Sequence, residues 1–358
     1  MILPLFFTVY EYNIIPVSEI VKQCRLKINS IPENSLKEKK NIKIIVILGP
    51  TATGKTKIAV SLARKFNGEI ISADSRQVYR GLDIGSGKDI AEYGNVPYHL
   101  IDIVAPSEDY NLMRFRSDVP RIILDIDLRR RIPIMAGGSA LYIDAILSEY
   151  SLRGGSPSAD FRESLKRLGT GEILEMLKNE SGDVYKSIED LNNRNRIIRY
   201  LEKNKNIDRQ MEPLPFNPEC LLIGVFFDRK DVHSRIEERL DIRLGNGMVA
   251  EVENLHSQGI SWERLEFFGL EYRYVACYLQ GKMSFPEMRK KLLEKIRQFA
   301  KRQDIWFRKM EREGKRIYWV KEGDAGQTEA MVDAFLKNRE IPDTGIRISE
   351  IYYGRKSS

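Results

Sequence analysis

Thiols and imidazoles are scarce in this chain, with three cysteines and three histidines in 358 residues. Cys24, Cys220 and Cys277 lie far apart, show no metal-ligand spacing and cannot all pair. A disulfide framework and a thiolate zinc site are excluded, and the cysteines suit small buried hydrophobes in a reducing compartment. His99, His233 and His256 make no ligand cluster in sequence, so each is expected to be structural. Long apolar runs are also missing. "MILPLFFTVY" at the start is too short to span a bilayer, has no basic residue before it and no small-residue cleavage site after it. No membrane partner is expected, and neither internal repeats nor low-complexity tracts occur.

What remains is the composition of an ordinary soluble, cytoplasmic protein, 42% hydrophobic and 30% charged. The length allows a sizeable core, one large domain plus an insertion. The net charge is +7, with basic residues concentrated late, above all in Arg289–Arg316. There Leu292, Leu293, Ile296, Phe299 and Ala300 form one face of an amphipathic helix and lysines and arginines cover the rest. Such a face is either solvated or suited to a phosphate backbone.

The strongest local signal begins at Ile44. Ile44–Leu48 is a β-branched apolar run that reads as a buried parallel strand. Gly49-Pro50-Thr51-Ala52-Thr53-Gly54-Lys55-Thr56 fits G-x-x-x-x-G-K-[ST] at every fixed position. Lys57 to Phe66 has helical spacing. Strand, loop and helix in that order form a phosphate cradle, with loop amides and Lys55 around a di- or triphosphate, ATP included. Thr56 would hold a Mg²⁺ bridging its oxygens. The loop alone names no reaction.

Further strands are expected at Glu69–Ser72, His99–Ile103, Ile132–Met135 and Leu221–Phe227, alternating with helices. The fold class is therefore α/β, a P-loop NTPase-like parallel sheet flanked by helices, with a helical insertion. We divide the chain into a poorly packed extension (1–41), a first core part (42–150), the insertion (151–215), a second core part with the basic helix (216–325) and a tail (326–358).

"GPTATGKT", "GEIISADSRQVYRGLDIGSGK", "GGSALYIDAIL", "NRNRIIRYLE", "FFDRKDVHSRIEERLDIRLGNGMVAEVENLHSQG" and "FAKRQDIWFRK" follow one another from about Ile44 to Val320. In this order they resemble the tRNA dimethylallyltransferases, also called tRNA isopentenyltransferases. The P-loop is generic, whereas "SADSRQVY" with "GGSALY" downstream is specific. The resemblance implies transfer of a dimethylallyl group from dimethylallyl diphosphate to N6 of the adenosine beside the tRNA anticodon. The loop then grips a diphosphate that leaves, and Asp74 takes the proton of a weakly basic amine. From spacing alone, Asp74 reads better as a turn or N-cap aspartate, and the motif reverses that preference.

The resemblance also implies roles for other residues. Lys55, Arg239 and the hydroxyl of Ser139, where the family has threonine, join Asp74 in catalysis. Contacts to the tRNA anticodon stem-loop fall to Asp74, Ser75, Arg76 and Gln77, to Ser139, to Asn195, Arg196, Ile197, Ile198 and Arg199, and to Lys301, Arg302, Gln303 and Arg308. Arg162 is a further candidate. A monomer is expected. The segment Lys88–Tyr98 is shorter than in the family and lacks the proline after the lysine, "FFGLEYRY" departs from the pattern, and Ile305 replaces threonine. No zinc-finger pattern follows the core, as in a bacterial form. An adenylate isopentenyltransferase shares the P-loop and the aspartate but has less use for the basic helix. A small-molecule P-loop kinase and an inactive RNA-binding relative also remain open.

Overall fold

The structure is a computed structural model and describes residues 39–147, 159–187, 197–198, 200–201 and 213–351. The expected extension 1–41 falls almost wholly outside these residues, as do Asn195, Arg196 and Arg199.

Six strands form one sheet in the order β3-β2-β4-β1-β5-β6. In β1 (Asn41–Leu48) every residue from Ile44 to Leu48 is buried, as a strand covered on both faces requires. Its side chains alternate between two cores: Ile44, Val46 and Leu48 enter one, Ile45 and Ile47 the other. The first helix, α1 (Lys55–Lys65), covers the second face with Ala59, Val60, Leu62 and Ala63. β2 (Gly68–Ser72) and β4 (Ile132–Gly137) flank one another in parallel, and β4 in turn pairs with β1.

That register places the site. Leu48 lies opposite Gly137, and Ser72 lies opposite Ala136. The loops after β1, β2 and β4 therefore emerge side by side at the C-terminal edge of the sheet, where open α/β folds bind ligands. Between β2 and β4 run β3 (Tyr98–His99) and α2 (Leu112–Leu128). β3 is shorter than expected because Leu100 and Asp102 have φ of 63° and 56°, which no extended strand accommodates.

After β4 come α3 (Ala140–Leu147) and the insertion helices α4 (Ala159–Lys166), α5 (Thr170–Glu180) and α6 (Gly182–Ser187). The insertion has a small core of its own, made by Leu165, Ile173, Leu177, Ile197, Ile198 and Leu201. The main sheet resumes at β5 (Asn217–Phe226), followed by α7 (Arg229–Gly245), α8 (Met248–Ser257), α9 (Trp262–Phe267) and α10 (Leu270–Leu279).

The basic helix α11 spans Phe285–Arg312, four residues earlier at each end than the sequence pattern suggested. Its start is set by Ser284, whose N–H donates to Glu287 at 2.8 Å in a capping box. Two elements were not anticipated. β6 (Ile317–Lys321) pairs with β5, and α12 (Ala325–Leu336) buries Met331 and Val332 against the α1 face. Within the expected tail 326–358, the residues up to 336 are a packed helix and Ile348 is buried as well, so the described part is more than a tail. Their apolar spacing was masked in the sequence by the basic run just before them.

Candidate functional site

The P-loop takes the backbone path its glycines permit. Gly49 and Gly54 have φ of 151° and 76°, and Ala52 joins them at 64°. A Cβ on Gly49 would meet the Val225 carbonyl at 2.9 Å, so the loop also needs glycine to pass close to β5. Within the loop, Thr53 Oγ1 and Lys55 Nζ both donate to the Pro50 carbonyl, at 2.8 and 2.6 Å. Burial, and then the Arg239 guanidinium, push the Lys55 ammonium down to about 7, while Asp74 pulls the other way. Arg239 and Asp74, both distant in sequence, thus lie near enough to Lys55 for their charges to bear on it.

Asp74 follows β2 and accepts from the Arg76 N–H at 2.9 Å, an Asx turn. The turn reading of Asp74 is thus correct locally and compatible with a second role for the carboxylate. The Ser139 N–H donates to the Ala73 carbonyl at 3.3 Å, which brings the Gly137–Ser139 turn against Asp74. Gly137 is required there, since a Cβ would lie 2.3 Å from that carbonyl.

Helix α7 supplies three arginines one turn apart. Arg235 Nε donates to the Ala52 carbonyl at 2.7 Å and stacks 4.5 Å from the Phe227 ring centroid. Arg239 pairs with Asp89 at 3.0 Å. Arg243 donates to the Gly85 carbonyl at 3.3 Å and lies 3.8 Å from Glu271; burial, reinforced by Arg239, lowers it to about 10. Only Arg239 was expected from the sequence. The signal for the other two was the four-residue repeat of arginine in "RIEERLDIR".

The turn that faces these arginines is itself built around a carboxylate. Glu251 on α8 accepts from the N–H groups of Asp83, Ile84 and Gly85 at 2.9, 2.6 and 3.0 Å. Tyr272 accepts from Ser86 N–H at 3.1 Å. Lys88 is 1% exposed and donates to the Tyr79 carbonyl, Asp83 and Asp102. The sequence marked this segment as a departure, and its lysine is structural.

Several residues expected at the RNA are engaged with protein instead. Gln77 is 8% exposed; it accepts from Ser72 Oγ at 2.7 Å and donates to the Gly87 carbonyl at 3.0 Å, so its amide does not offer itself to a base. Gln303 is 7% exposed and bridges the Thr51 N–H and the Gly138 carbonyl. Ile197 and Ile198 are buried in the insertion core. Arg308 donates to Asp304 at 2.8 Å and to the Ile351 carbonyl at 2.7 Å. Arg76 pairs with Glu271 at 2.7 Å over the Phe299 ring, beside Gly269. Ser75 and Ser139 are half-buried beside Asp74, whereas Lys301 and Arg302 are exposed on α11. Arg162 lies on α4.

Thr56 is half-buried on the first turn of α1. No group of three His, Cys, Asp or Glu side chains able to hold a metal occurs among the described residues. His99 pairs with Glu69 at 2.7 Å, and His256 stacks on Trp262.

Sheet order, loop and lysine together define a P-loop NTPase-like α/β protein whose glycine-rich loop lies near a carboxylate loop. The comparisons with known proteins narrow that class. The IPP transferase profile matches residues 77–310, and an isopentenyl transferase profile matches 42–93. The chain belongs to the IPP transferase family. It is 47% identical over 283 residues to tRNA dimethylallyltransferase 1 of Geotalea uraniireducens, covering 78% of this chain and 93% of that protein. Identity to tRNA dimethylallyltransferase 1 of Syntrophus aciditrophicus is 46% over 288 residues, 78% of this chain and 94% of the relative. Among solved structures, the tRNA isopentenylpyrophosphate transferase of Bacillus halodurans superposes with a TM-score of 0.61 at 31% identity, over 84% of this chain and 98% of that one. A eukaryotic dimethylallyltransferase solved acting on tRNA shares the fold, with a TM-score of 0.69 at 24% identity over 85% of this chain and 81% of its own.

Proposed function

We propose that this protein transfers the dimethylallyl group of dimethylallyl diphosphate to N6 of the adenosine 3′-adjacent to the tRNA anticodon and releases diphosphate. The observation that carries the reading is the placement of the Asp74 loop against the Gly137–Ser139 turn, which Gln303 in turn ties to the P-loop at Thr51; this joins the P-loop to a carboxylate that a nucleotide-gripping loop alone would not need. As the bond from the allylic carbon to N6 forms, its bond to the diphosphate oxygen breaks and the electron pair leaves with the diphosphate. Lys55, Arg239 and the amides from Ala52 to Thr56 meet that developing charge. Asp74 accepts the proton that N6 loses. Ser139, at the neighbouring turn, offers a hydroxyl to the same groups.

Thr56, half-buried on the first turn of α1, would offer its hydroxyl to a Mg²⁺, an ion that needs few protein ligands. When bound, the ion would neutralise diphosphate charge. ATP would compete for the same loop.

An adenosine stacked in an anticodon loop must be extruded to reach Asp74. Lys301 and Arg302 are exposed on α11 and supply cations for the flanking phosphates. Because the P-loop, Asp74 and Arg239 come from one chain, a monomer suffices, and a tRNA substrate puts the work in the cytoplasm. No described helix is long and apolar enough to cross a membrane.

The test supplies purified protein with dimethylallyl diphosphate, Mg²⁺, ATP, unmodified tRNA and AMP, and identifies each product by mass. Gain of one five-carbon unit on tRNA adenosine is expected. Prenylated AMP with untouched tRNA would replace this reading with the free-nucleotide one, and ATP turnover alone would replace it with a kinase.

A further inference from the structure

Gln303 lies within the basic run of α11 yet points inward, between two loops of the site. Its carboxamide is used at both ends. Oε1 accepts from the Thr51 N–H at 2.8 Å, and Nε2 donates to the Gly138 carbonyl at 2.8 Å. A neutral amide offers a donor and an acceptor on one rigid plane, which neither a carboxylate nor an ammonium can do. The fit is close: a Cβ on Gly138 would sit 2.3 Å from Nε2, so the approach depends on glycine at that position. The bond to Gly138 is buried and the bond from Thr51 partly so, and an unmatched polar group away from water is costly.

The two loops that it joins are the two halves of the site. Thr51 belongs to the P-loop, three residues before Gly54 and four before Lys55. Gly138 precedes Ser139, whose N–H reaches the Ala73 carbonyl next to Asp74. The Thr51 amide is therefore committed to Gln303, and the amides left for phosphate begin at Ala52.

We propose that Gln303 is a positioning residue of the donor site, one that fixes the start of the P-loop against the Gly138 turn and so sets the gripped diphosphate relative to Asp74. It touches neither RNA nor donor. The inference rests on the reading that the P-loop holds the diphosphate. Its exposed neighbours Lys301 and Arg302 take the RNA side of the same helix, so one side chain links the outward, basic face of α11 to the loop beneath it.

The test varies donor and anticodon stem-loop separately for Gln303→Leu, Gln303→Glu and the control pair Lys301→Ala/Arg302→Ala, with Tm measured for each. Gln303→Glu keeps an acceptor for Thr51 but sets an oxygen against the Gly138 carbonyl. Both Gln303 variants are expected to lower kcat/KM for the donor about tenfold or more, the scale of a displaced reacting group, with stem-loop Kd unchanged. The control pair should do the reverse.

Gly138→Ala displaces Nε2 by an independent route and should reproduce the donor defect, which keeps the proposal testable if a Gln303 variant fails to fold. A stem-loop Kd that weakens in step with kcat/KM makes Gln303 an RNA contact and overturns the proposal. Folded variants with unchanged donor kinetics overturn it too. If tRNA proves not to be the acceptor, the function above fails, and this inference is read instead from binding of inorganic diphosphate. Gln303→Leu should weaken that binding, and equal binding refutes the positioning role.

Discussion

Arg239 and Asp89 form an ion pair, Nη2 to Oδ2 at 3.0 Å, so the arginine proposed to meet the diphosphate charge already has a carboxylate partner from the chain. Asp89 stands in the left-handed region at φ 47°, directly after the buried Lys88. A diphosphate must share Arg239 with it. Asp89→Asn is therefore expected to lower the donor KM about threefold, the scale of a partly exposed pair, with kcat little changed. Arg239→Ala should raise KM and lower kcat together. Steady-state kinetics with varied donor read both, and an unchanged or raised KM for Asp89→Asn would show the carboxylate to be a support rather than a competitor.

Asp74→Asn preserves shape and the turn with Arg76 but accepts no proton. We expect kcat to fall by roughly 10²-fold or more, while inorganic diphosphate binds as before. Single-turnover product formation is the measurement, and full activity in this variant would remove Asp74 from the chemistry.

Lys55 ties pH to donor capture. Its folded pKa of about 7 lies below the ordinary 10.5, so the cation is present below about 7 and lost as pH rises. The kcat/KM for the donor reports the free protein and should decline on the alkaline side with an apparent pKa near that value. Bound diphosphate favours the ammonium, so the kcat profile should break at higher pH. In Lys55→Arg the alkaline limb of kcat/KM should flatten, because the guanidinium keeps its proton. Persistence of the same limb in that variant would assign it to another group.

Lys301→Ala/Arg302→Ala removes two exposed cations from α11. Affinity for the anticodon stem-loop should weaken across sequences, and the slope of log K against log salt should flatten by about 1.4, taking the single-strand value for two contacts. Titration at several salt concentrations reads the slope. A solvated face without RNA predicts no change. Arg308 is expected to behave differently, because its guanidinium already serves Asp304 and the Ile351 carbonyl.

The P-loop was legible because its function is dictated by backbone shape, and a few fixed residue types at fixed spacing report that shape. For Asp74 the turn was legible locally, whereas a catalytic role is suggested only by the resemblance to a family, since its local turn is one that many aspartates make. Gln303 was misread although the signal was present. Ile296, Ala300, Gln303, Phe307 and Met310 lie on one stripe of α11, all buried, so helical phase alone turned the glutamine inward. Charge around it in sequence hid that phase. Ile197 and Ile198 were assigned to RNA by motif position, against their apolar character, and the apolar character prevailed. The early end of β3 had no signal at all, since leucine at φ 63° is a tertiary outcome that composition does not announce.

Strand β4 stands between β1 and β2, with Leu48 opposite Gly137 and Ser72 opposite Ala136. It therefore acts as a spacer of fixed width: the phosphate loop and the carboxylate loop leave the sheet two strand spacings apart, about 9.6 Å. Main-chain ladders hold that gap, so no side-chain replacement can widen it. Exchanges at Ser139, Arg239 or Asp89 can retune the strength of the grip, but a donor with a longer reach between its leaving group and its acceptor would call for residues added to or removed from the loops themselves.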